Sequence, residues 1–390
     1  MLGQKFIATI VALAISISPA LSAPGVEPGI KQRALTYAPV TTKRIFTPPS
    51  DYRKPKTLYS RTVQLEDGTL LATWENYSPE PPSVYFPIYR STDGGSTWSE
   101  YSKVTDKVNG WGLRYQPDLF VLPKAVGKLA IGTILLAGNS IPEDLSKTKI
   151  DIYASTDGGL TWDFLSSVAE GGKAEPVNGP TPVWEPYLRV YGDDLVVYYS
   201  DQSDPAHGQK LCHKISSDGV VWGPVVNDIA YSDYARRPGM ATVASSSGAG
   251  GVSKRLYIMT YENGGGNSPS GKDFPVYYRI SASPLNFAEA PEHILKAGED
   301  YLASSPTITW SSAGGENGTF IVSANSHKEI FVNTKLGDPL EWVKYDTPQS
   351  ASYSREVNVL SDPEWLLIVS AGPLAGDNYV SNSVFKLPKS

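Results

Sequence analysis

The chain has 390 residues, 41% of them hydrophobic and 11% aromatic, so it can bury a large core. Its net charge is −6 with no basic cluster, which argues against a nucleic-acid partner. Twenty-three Tyr and nine Trp against three Met favour strands over helices, and 35 Gly with 31 Pro fit a fold rich in turns.

Residues 1–23 read as a secretory leader. Lys5 supplies the positive start, Phe6 to Ile17 the apolar stretch, and Pro19-Ala20-Leu21-Ser22-Ala23 the small residues of a cleavage site. The apolar run is too short to span a bilayer, and no other stretch qualifies, so a secreted, extracellular monomer free of the membrane is expected. Residues 24–390 carry no linker and read as one domain. Asn76-Tyr77-Ser78 and Asn317-Gly318-Thr319 are glycosylation sequons, as a secreted glycoprotein would carry. Cys212 is the single cysteine, which leaves no intrachain disulfide, so core size must supply the stability.

A repeated turn organises the rest of the chain. Ser91-Thr92-Asp93-Gly94-Gly95-Ser96-Thr97-Trp98 recurs at Ser155 to Trp162 and, one residue shorter, at Ser216 to Trp222. The three aspartates are 64 and 61 residues apart, the mark of one supersecondary module copied along the chain. Each copy reads as a hairpin. Asp accepts turn N–H groups, the glycines supply positive φ, and Trp opens the return strand with a large ring to bury. The pattern resembles the Asp-box of sialidases and related β-propeller glycosidases. That resemblance implies a structural role for the box, away from the catalytic face.

A second repeat runs out of phase with the first. Short strands, often with Pro near their start, begin at Tyr59, Tyr115, Trp184, Arg236, Ser304 and Ser354. Strongly apolar strands follow at Leu70, Leu129, Leu195, Leu256, Phe320 and Trp365. Six such units predict an all-β, six-bladed β-propeller of four-stranded antiparallel blades. The last unit is one strand short, and Ala34 to Phe46 could supply the missing outer strand and close the ring.

In a propeller the innermost strands line a channel, and ligands bind at one of its mouths. Starts of the first strands give Arg61, Asp118, Glu185, Arg237, Ser305 and Arg355. Ends of the second strands give Glu75, Asp201, Glu262 and Asn325. Two carboxylates stand out. Glu185 lies in Val183-Trp184-Glu185-Pro186-Tyr187-Leu188, where large apolar neighbours would raise its pKa toward that of a general acid. Glu262 ends an apolar strand and precedes Asn263 and three glycines, which leave the backbone open to a ligand. Glycoside hydrolysis uses two such carboxyls across the scissile bond. The competing reading is a pair of channel glutamates neutralised by arginines. Tyr85, Trp111, Tyr115, Trp184 and Tyr234 could stack sugar faces or simply pack blades.

The Trp-Glu-Pro-Tyr-Leu segment, Thr260-Tyr261-Glu262-Asn263-Gly264-Gly265, and Tyr353-Ser354-Arg355-Glu356 resemble fungal exo-1,5-α-L-arabinanases of glycoside hydrolase family 93. The likeness runs through the whole mature chain. It implies a six-bladed propeller and a retaining exo-hydrolase that releases arabinobiose from linear α-1,5-arabinan of the plant cell wall. It also implies Glu185 as acid/base, Glu262 as nucleophile and Tyr353 as a supporting hydroxyl. Around them Arg61, Tyr115, Asp118, Trp184, Tyr187, Arg237, Ser305 and Arg355 would contact the substrate.

Two rivals remain open in the sequence. An exo-sialidase would use Arg61, Arg237 and Arg355 as a carboxylate clamp and Tyr353 as nucleophile. A non-catalytic glycan-binding propeller would keep the fold without turnover. No cofactor is expected. His207, His213, His293 and His327 show no metal-ligand spacing with Cys212, so no metal site is expected either.

Overall fold

The computed structural model describes residues 36–246 and 255–388. The leader read at residues 1–23 lies outside them. The described residues form six four-stranded antiparallel sheets and one small hairpin.

After β1 (Val40–Phe46), blade one holds β2 (Thr57–Gln64), β3 (Leu70–Asn76), β4 (Phe86–Ser91) and β5 (Ser99–Val104). Blade two holds β6 (Leu113–Val121), β7 (Ile134–Ser140), β8 (Thr148–Ser155) and β9 (Asp163–Gly171). Blade three holds β10 (Val183–Tyr191), β11 (Asp194–Asp201), β12 (Lys210–Ser216) and β13 (Val226–Ile229). Blade four holds β14 (Arg237–Ser245), β15 (Tyr257–Gly264), β16 (Val276–Ser281) and β17 (Glu292–Ile294), followed by the hairpin β18 (Lys296–Ala297) and β19 (Asp300–Tyr301). Blade five holds β20 (Thr307–Ser311), β21 (Thr319–Ser323), β22 (Ile330–Asn333) and β23 (Val343–Tyr345). Blade six is β24 (Glu356–Val359), β25 (Trp365–Ser370) and β26 (Val380–Lys386), with β1 as its outer strand.

The closure expected from the sequence is present. Val40, Lys43, Arg44 and Phe46 pair antiparallel with Val384, Asn382, Ser381 and Val380. A strand from the start of the chain thus completes the last blade, and the ring leaves only short edges. Every second strand is packed on both faces by neighbouring blades, which is why these strands read as unbroken apolar runs. All seven residues of β3 and of β7 are buried. The core lies between blades. Leu135, Ile152 and Val168 of blade two meet Val183, Leu188 and Val197 of blade three, with Cys212 among them. Leu70 and Trp74 of blade one meet Val369 and Val384 of blade six at the seam.

The Asp-boxes are the third hairpin of blades one to three. In blade two, Ser155 Oγ donates to Asp157 Oδ1 at 2.8 Å. Asp157 also accepts the Leu160 and Thr161 N–H groups at 3.0 and 2.9 Å and the Thr161 hydroxyl at 2.6 Å. Gly159 sits at φ 88°, and a Cβ there would lie 2.8 Å from Leu71 of blade one. Trp162 Nε1 donates to Gly159 O at 3.1 Å and lies 3.3 Å from Ser102 Oγ of blade one. Trp98 reaches Asn382 of blade six at 3.0 Å, and Trp222 reaches Ser166 of blade two at 3.1 Å. Each box therefore closes its own hairpin and fastens its blade to the preceding one.

Of the two sequons, Asn76 has a buried side chain, 3% exposed, so the folded chain cannot carry a glycan there. Asn317 is half-buried at a blade-five turn.

Candidate active site

The innermost strands share a local device that the sequence does not announce. In each blade a non-glycine residue near the start of the inner strand has positive φ. They are Tyr59 (53°), Gln116 (57°), Glu185 (59°), Met240 (58°), Ser305 (47°) and Ser354 (48°). In blades one to four this residue opens a β-bulge, placed between Leu58 and Arg61, Tyr115 and Asp118, Trp184 and Tyr187, and Gly239 and Thr242. Two residues there oppose one on the partner strand, which bends the strand and re-aims its side chains. The recurrent prolines are explained too. Pro117, Pro186 and Pro306 each follow a positive-φ residue, and Pro in a sheet is confined to such places and to edges.

The turned backbone sends its N–H toward the preceding blade. Gln116 N donates to Glu75 Oε1 at 2.9 Å, and Glu185 N to Gln116 Oε1 at 3.1 Å. Met240 N donates to Glu185 Oε2 at 2.6 Å, Ser305 N to Glu262 Oε2 at 2.5 Å, and Ser354 N to Ser305 Oγ at 2.8 Å. A non-glycine residue in this region costs about 1–3 kcal/mol, and such strain persists where surrounding structure enforces it, most often at functional sites. Here the strained amides hold three glutamates in place.

Above these bulges lies a cavity of about 440 Å³. Its polar lining includes Glu75, Gln116, Glu185, Gln209, Arg237 and Glu262, and its aromatic lining Tyr77, Tyr115, Trp184, Phe274 and Tyr353. A few convergent polar groups among apolar walls are what a small-ligand site requires. Glu185 and Glu262 come from adjacent blades, three and four. Gly239 lies between them: it pairs with Glu262 in the ladder, and a Cβ on it would stand 3.2 Å from Glu185 Oε2.

The electrostatics of the two carboxyls differ. Glu185 is 9% exposed, and burial raises its pKa. Opposing that, Ser200 Oγ donates to it at 2.6 Å, Met240 N donates as well, and the Arg237 and Arg61 charges both favour its ionised form. Glu262 is 8% exposed; burial first, and then the Glu185 charge, push its carboxyl up to about 8. The Glu185 charge acts on Glu262 and the Arg237 charge on both, so the two carboxyls titrate as a pair. Tyr353 is held well above the usual phenol range by burial and by Glu262 and Glu185, so it remains a neutral hydroxyl.

Of the other residues singled out in the sequence, Tyr115, Trp184, Arg237 and Tyr353 line the same cavity. Trp184 Nε1 is fixed by Gln202 Oε1 at 2.9 Å. Arg237 donates to Asn178, Gln202 and Gln209 at 3.0–3.1 Å. Ser305 acts through its backbone on Glu262. The remaining four lie outside the cavity lining. Arg61 is buried beneath the mouth, donates to Ser60 O and to Ser354 O and Oγ, and lies 3.9 Å from Asp118. Asp118 accepts the Leu188 N–H at 2.7 Å, and burial raises its pKa to about 6. Tyr187 packs under Arg189 and donates to Val243 O at 3.2 Å. Arg355 is fully buried and donates to Ser323 Oγ and to the carbonyls of Lys328, Glu329, Gln349 and Ser350. The arginine clamp of a sialidase is therefore not assembled, because of the three only Arg237 reaches the cavity. Tyr85, Trp111 and Tyr234 stand outside it as well. Beside smaller or aliphatic residues such as Ala174, Ser304 and Leu374, the cavity is also lined by Glu75, Tyr77, Gln116, Gln209 and Phe274. Only Glu75 among them carried a signal in the sequence, its position at the end of a second strand. Among the described residues no group of three or more His, Cys, Asp or Glu could hold a metal ion.

Solved structures provide the comparison. The α-L-arabinofuranosidase of Fusarium graminearum, bound to an iminosugar inhibitor, is 50% identical over 90% of this chain and 98% of its own, with a TM-score of 0.86. A complex described as the glycoside hydrolase family 93 enzyme of that fungus with arabinobiose matches at 50% over 89% and 98%, TM-score 0.86. The α-L-arabinanase of Penicillium chrysogenum with arabinobiose matches at 49% over 90% and 99%, TM-score 0.85. The NanB sialidase of Streptococcus pneumoniae shares 10% identity over 88% and 70% with a TM-score of 0.54, a likeness of fold alone. No protein-family model and no curated protein sequence matches the chain.

Proposed function

Since the chain belongs to glycoside hydrolase family 93, as half-identity to its members along nine-tenths of the sequence establishes, we propose that it releases arabinobiose from the end of linear α-1,5-L-arabinan with retention of configuration. The observation that carries this reading is the carboxyl pair. Glu185 and Glu262, presented by adjacent blades across Gly239, share one walled cavity in a chain whose relatives are solved with arabinobiose.

The family resemblance supports Glu185 as acid/base and Glu262 as nucleophile, and burial, which raises both carboxyls, lets the pair keep a proton for the acid. In the first step a Glu262 oxygen bonds to the anomeric carbon, the glycosidic bond breaks, and Glu185 gives its proton to the departing oxygen. In the second, Glu185 takes a proton from water, the water oxygen attacks the anomeric carbon, and Glu262 leaves. Tyr353, a neutral O–H beside both carboxyls, can donate to the nucleophile or the ring oxygen. Trp184 and Tyr115 offer apolar faces to the sugar.

Azide rescue tests the assignment. Glu262→Ala should lose at least 10²–10⁴-fold in turnover, and azide should restore an inverted glycosyl azide. Glu185→Ala should keep activity on substrates with good leaving groups and give a retained azide product. The opposite stereochemical pattern would exchange the roles, and near-normal turnover of arabinan by either folded variant would remove that residue from the pair.

A further inference from the structure

Glu75 is a third carboxyl of the cavity, and the two hydrolytic steps do not use it. It lies near the end of β3 opposite Leu58 in the ladder, the place in blade one that Glu262 holds in blade four opposite Gly239. In a six-bladed ring these two blades lie across the channel, so Glu75 stands on the cavity wall opposite Glu262. It is 4% exposed, and burial pushes its carboxyl up to about 7. Among the described residues each oxygen has one donor, Gln116 N at 2.9 Å on Oε1 and the Tyr77 hydroxyl at 2.7 Å on Oε2.

A carboxylate has about four acceptor positions, so the two donors leave Glu75 with acceptor capacity at the cavity wall. Burying such a group without an adjacent cation is costly, and strongly perturbed carboxyls in a cleft are enriched at functional sites. Charge on the nearby Arg61 favours its ionised form, but that guanidinium is occupied by Ser60, Ser354 and Asp118. The Glu75 site is also rigid. Its Gln116 partner takes the Glu185 N–H and is itself held by Asn139 Nδ2 at 2.8 Å.

We propose that Glu75, oriented by Tyr77 and Gln116, accepts a hydrogen bond from a hydroxyl of the bound arabinosyl unit and so determines which sugar the cleft takes. The proposal rests on the arabinanase reading. Pentoses and their deoxy or epimeric relatives differ in hydroxyl placement, and a fixed charged acceptor discriminates strongly against a ligand that lacks its partner.

The test is a cycle between protein and substrate. Wild type and Glu75→Gln, which keeps the size of the side chain, are assayed on a linear α-1,5-arabino-oligosaccharide and on its monodeoxy analogues. Losing one hydrogen bond to a charged group should cost the variant about 10–100-fold in kcat/KM on the full substrate. On one particular monodeoxy analogue wild type and variant should become equal. Equal losses on every analogue, or a variant within twofold of wild type on the full substrate, would overturn the proposal. No cleavage of the full substrate by wild type would instead overturn the arabinanase reading beneath it. Product binding gives the same cycle without turnover: arabinobiose and its monodeoxy forms titrated into wild type must single out one hydroxyl, and Tyr77→Phe must weaken that preference. No such hydroxyl, or no effect of Tyr77→Phe, would count against Glu75 as the acceptor.

Discussion

The distance between Gly239 and the carboxyls fixes how closely the cleft can be built. Gly239 is not needed for its backbone angle; it is needed because a Cβ would meet Gln209 Nε2 at 2.8 Å and Glu185 Oε2 at 3.2 Å. Gly239→Ala should therefore displace the Glu185 carboxyl by a few tenths of an ångström while leaving the blade paired. A displacement approaching 1 Å can cost about 10²-fold, so a fall in kcat of about tenfold with a nearly unchanged melting temperature is expected. Steady-state kinetics beside calorimetry check it, and full activity in the folded variant would mean that Gly239 does not set the carboxyl's position. At this scale the sequence carried Glu185 and Glu262 through their apolar and glycine-rich surroundings. It could not rank Glu75, nor see Gln116 or Gly239, because their roles come from contacts across blades. The three arginines misled for a related reason. Arg237 precedes its blade's positive-φ residue by three positions, Arg61 follows its own by two and Arg355 by one, so they sit at different depths of the channel.

Among the elements, the Asp-box hairpin was the most legible, since its whole hydrogen-bond set is local in sequence. Asp157 accepts from Ser155, Leu160 and Thr161, all within four residues. Its carboxyl is held down to about 2, first by the Thr161 side chain and then by the Thr161 backbone. Asp157→Ala should remove these bonds and cost about 1–2 kcal/mol, the range of a lost helix or turn cap. The loss should appear as a lower melting temperature with kcat and KM intact, because the box lies on the third hairpin of its blade and not on the cavity wall. An unchanged melting temperature with lost turnover would place the box at the active site. The bulges, in contrast, left only the recurrent Pro as a trace. A bulge is a statement about register between two strands, and one chain read alone does not contain register.

Over the whole molecule, blade count and ring closure could be read from periodicity, whereas the burial of ionisable groups in the channel could not. That burial makes stability depend on pH. Burial pushes the Glu262 carboxyl up to about 8, those of Glu75 and Glu356 to about 7 and that of Asp118 to about 6, and raises Glu185 as well. The folded chain thus keeps protons that the unfolded chain releases near 4–4.5. Wherever the native state holds more protons, stability falls as pH rises, so the fold should weaken steadily between about pH 4.5 and 8. Asp106 and Asp157, held near 2 in the folded chain, act in the opposite sense; their contribution is present above their unfolded value near 4 and fades as pH falls toward 2. The two trends meet at an expected maximum of the melting temperature near pH 4–5, more acidic than for most proteins. Net charge of −6 at pH 7 adds self-repulsion in the same direction as the buried carboxyls, so the pH curve alone does not separate them. Glu262→Gln does: it removes one of the shifted protons, changes the net charge only slightly, and should flatten the decline between pH 4.5 and 8. Scanning calorimetry of both proteins from pH 3 to 9 makes the comparison. A wild-type melting temperature that is level or rising from pH 5 to 8 would mean that these carboxyls are already ionised in the folded channel, with relief stronger than their arginine and hydrogen-bond partners supply.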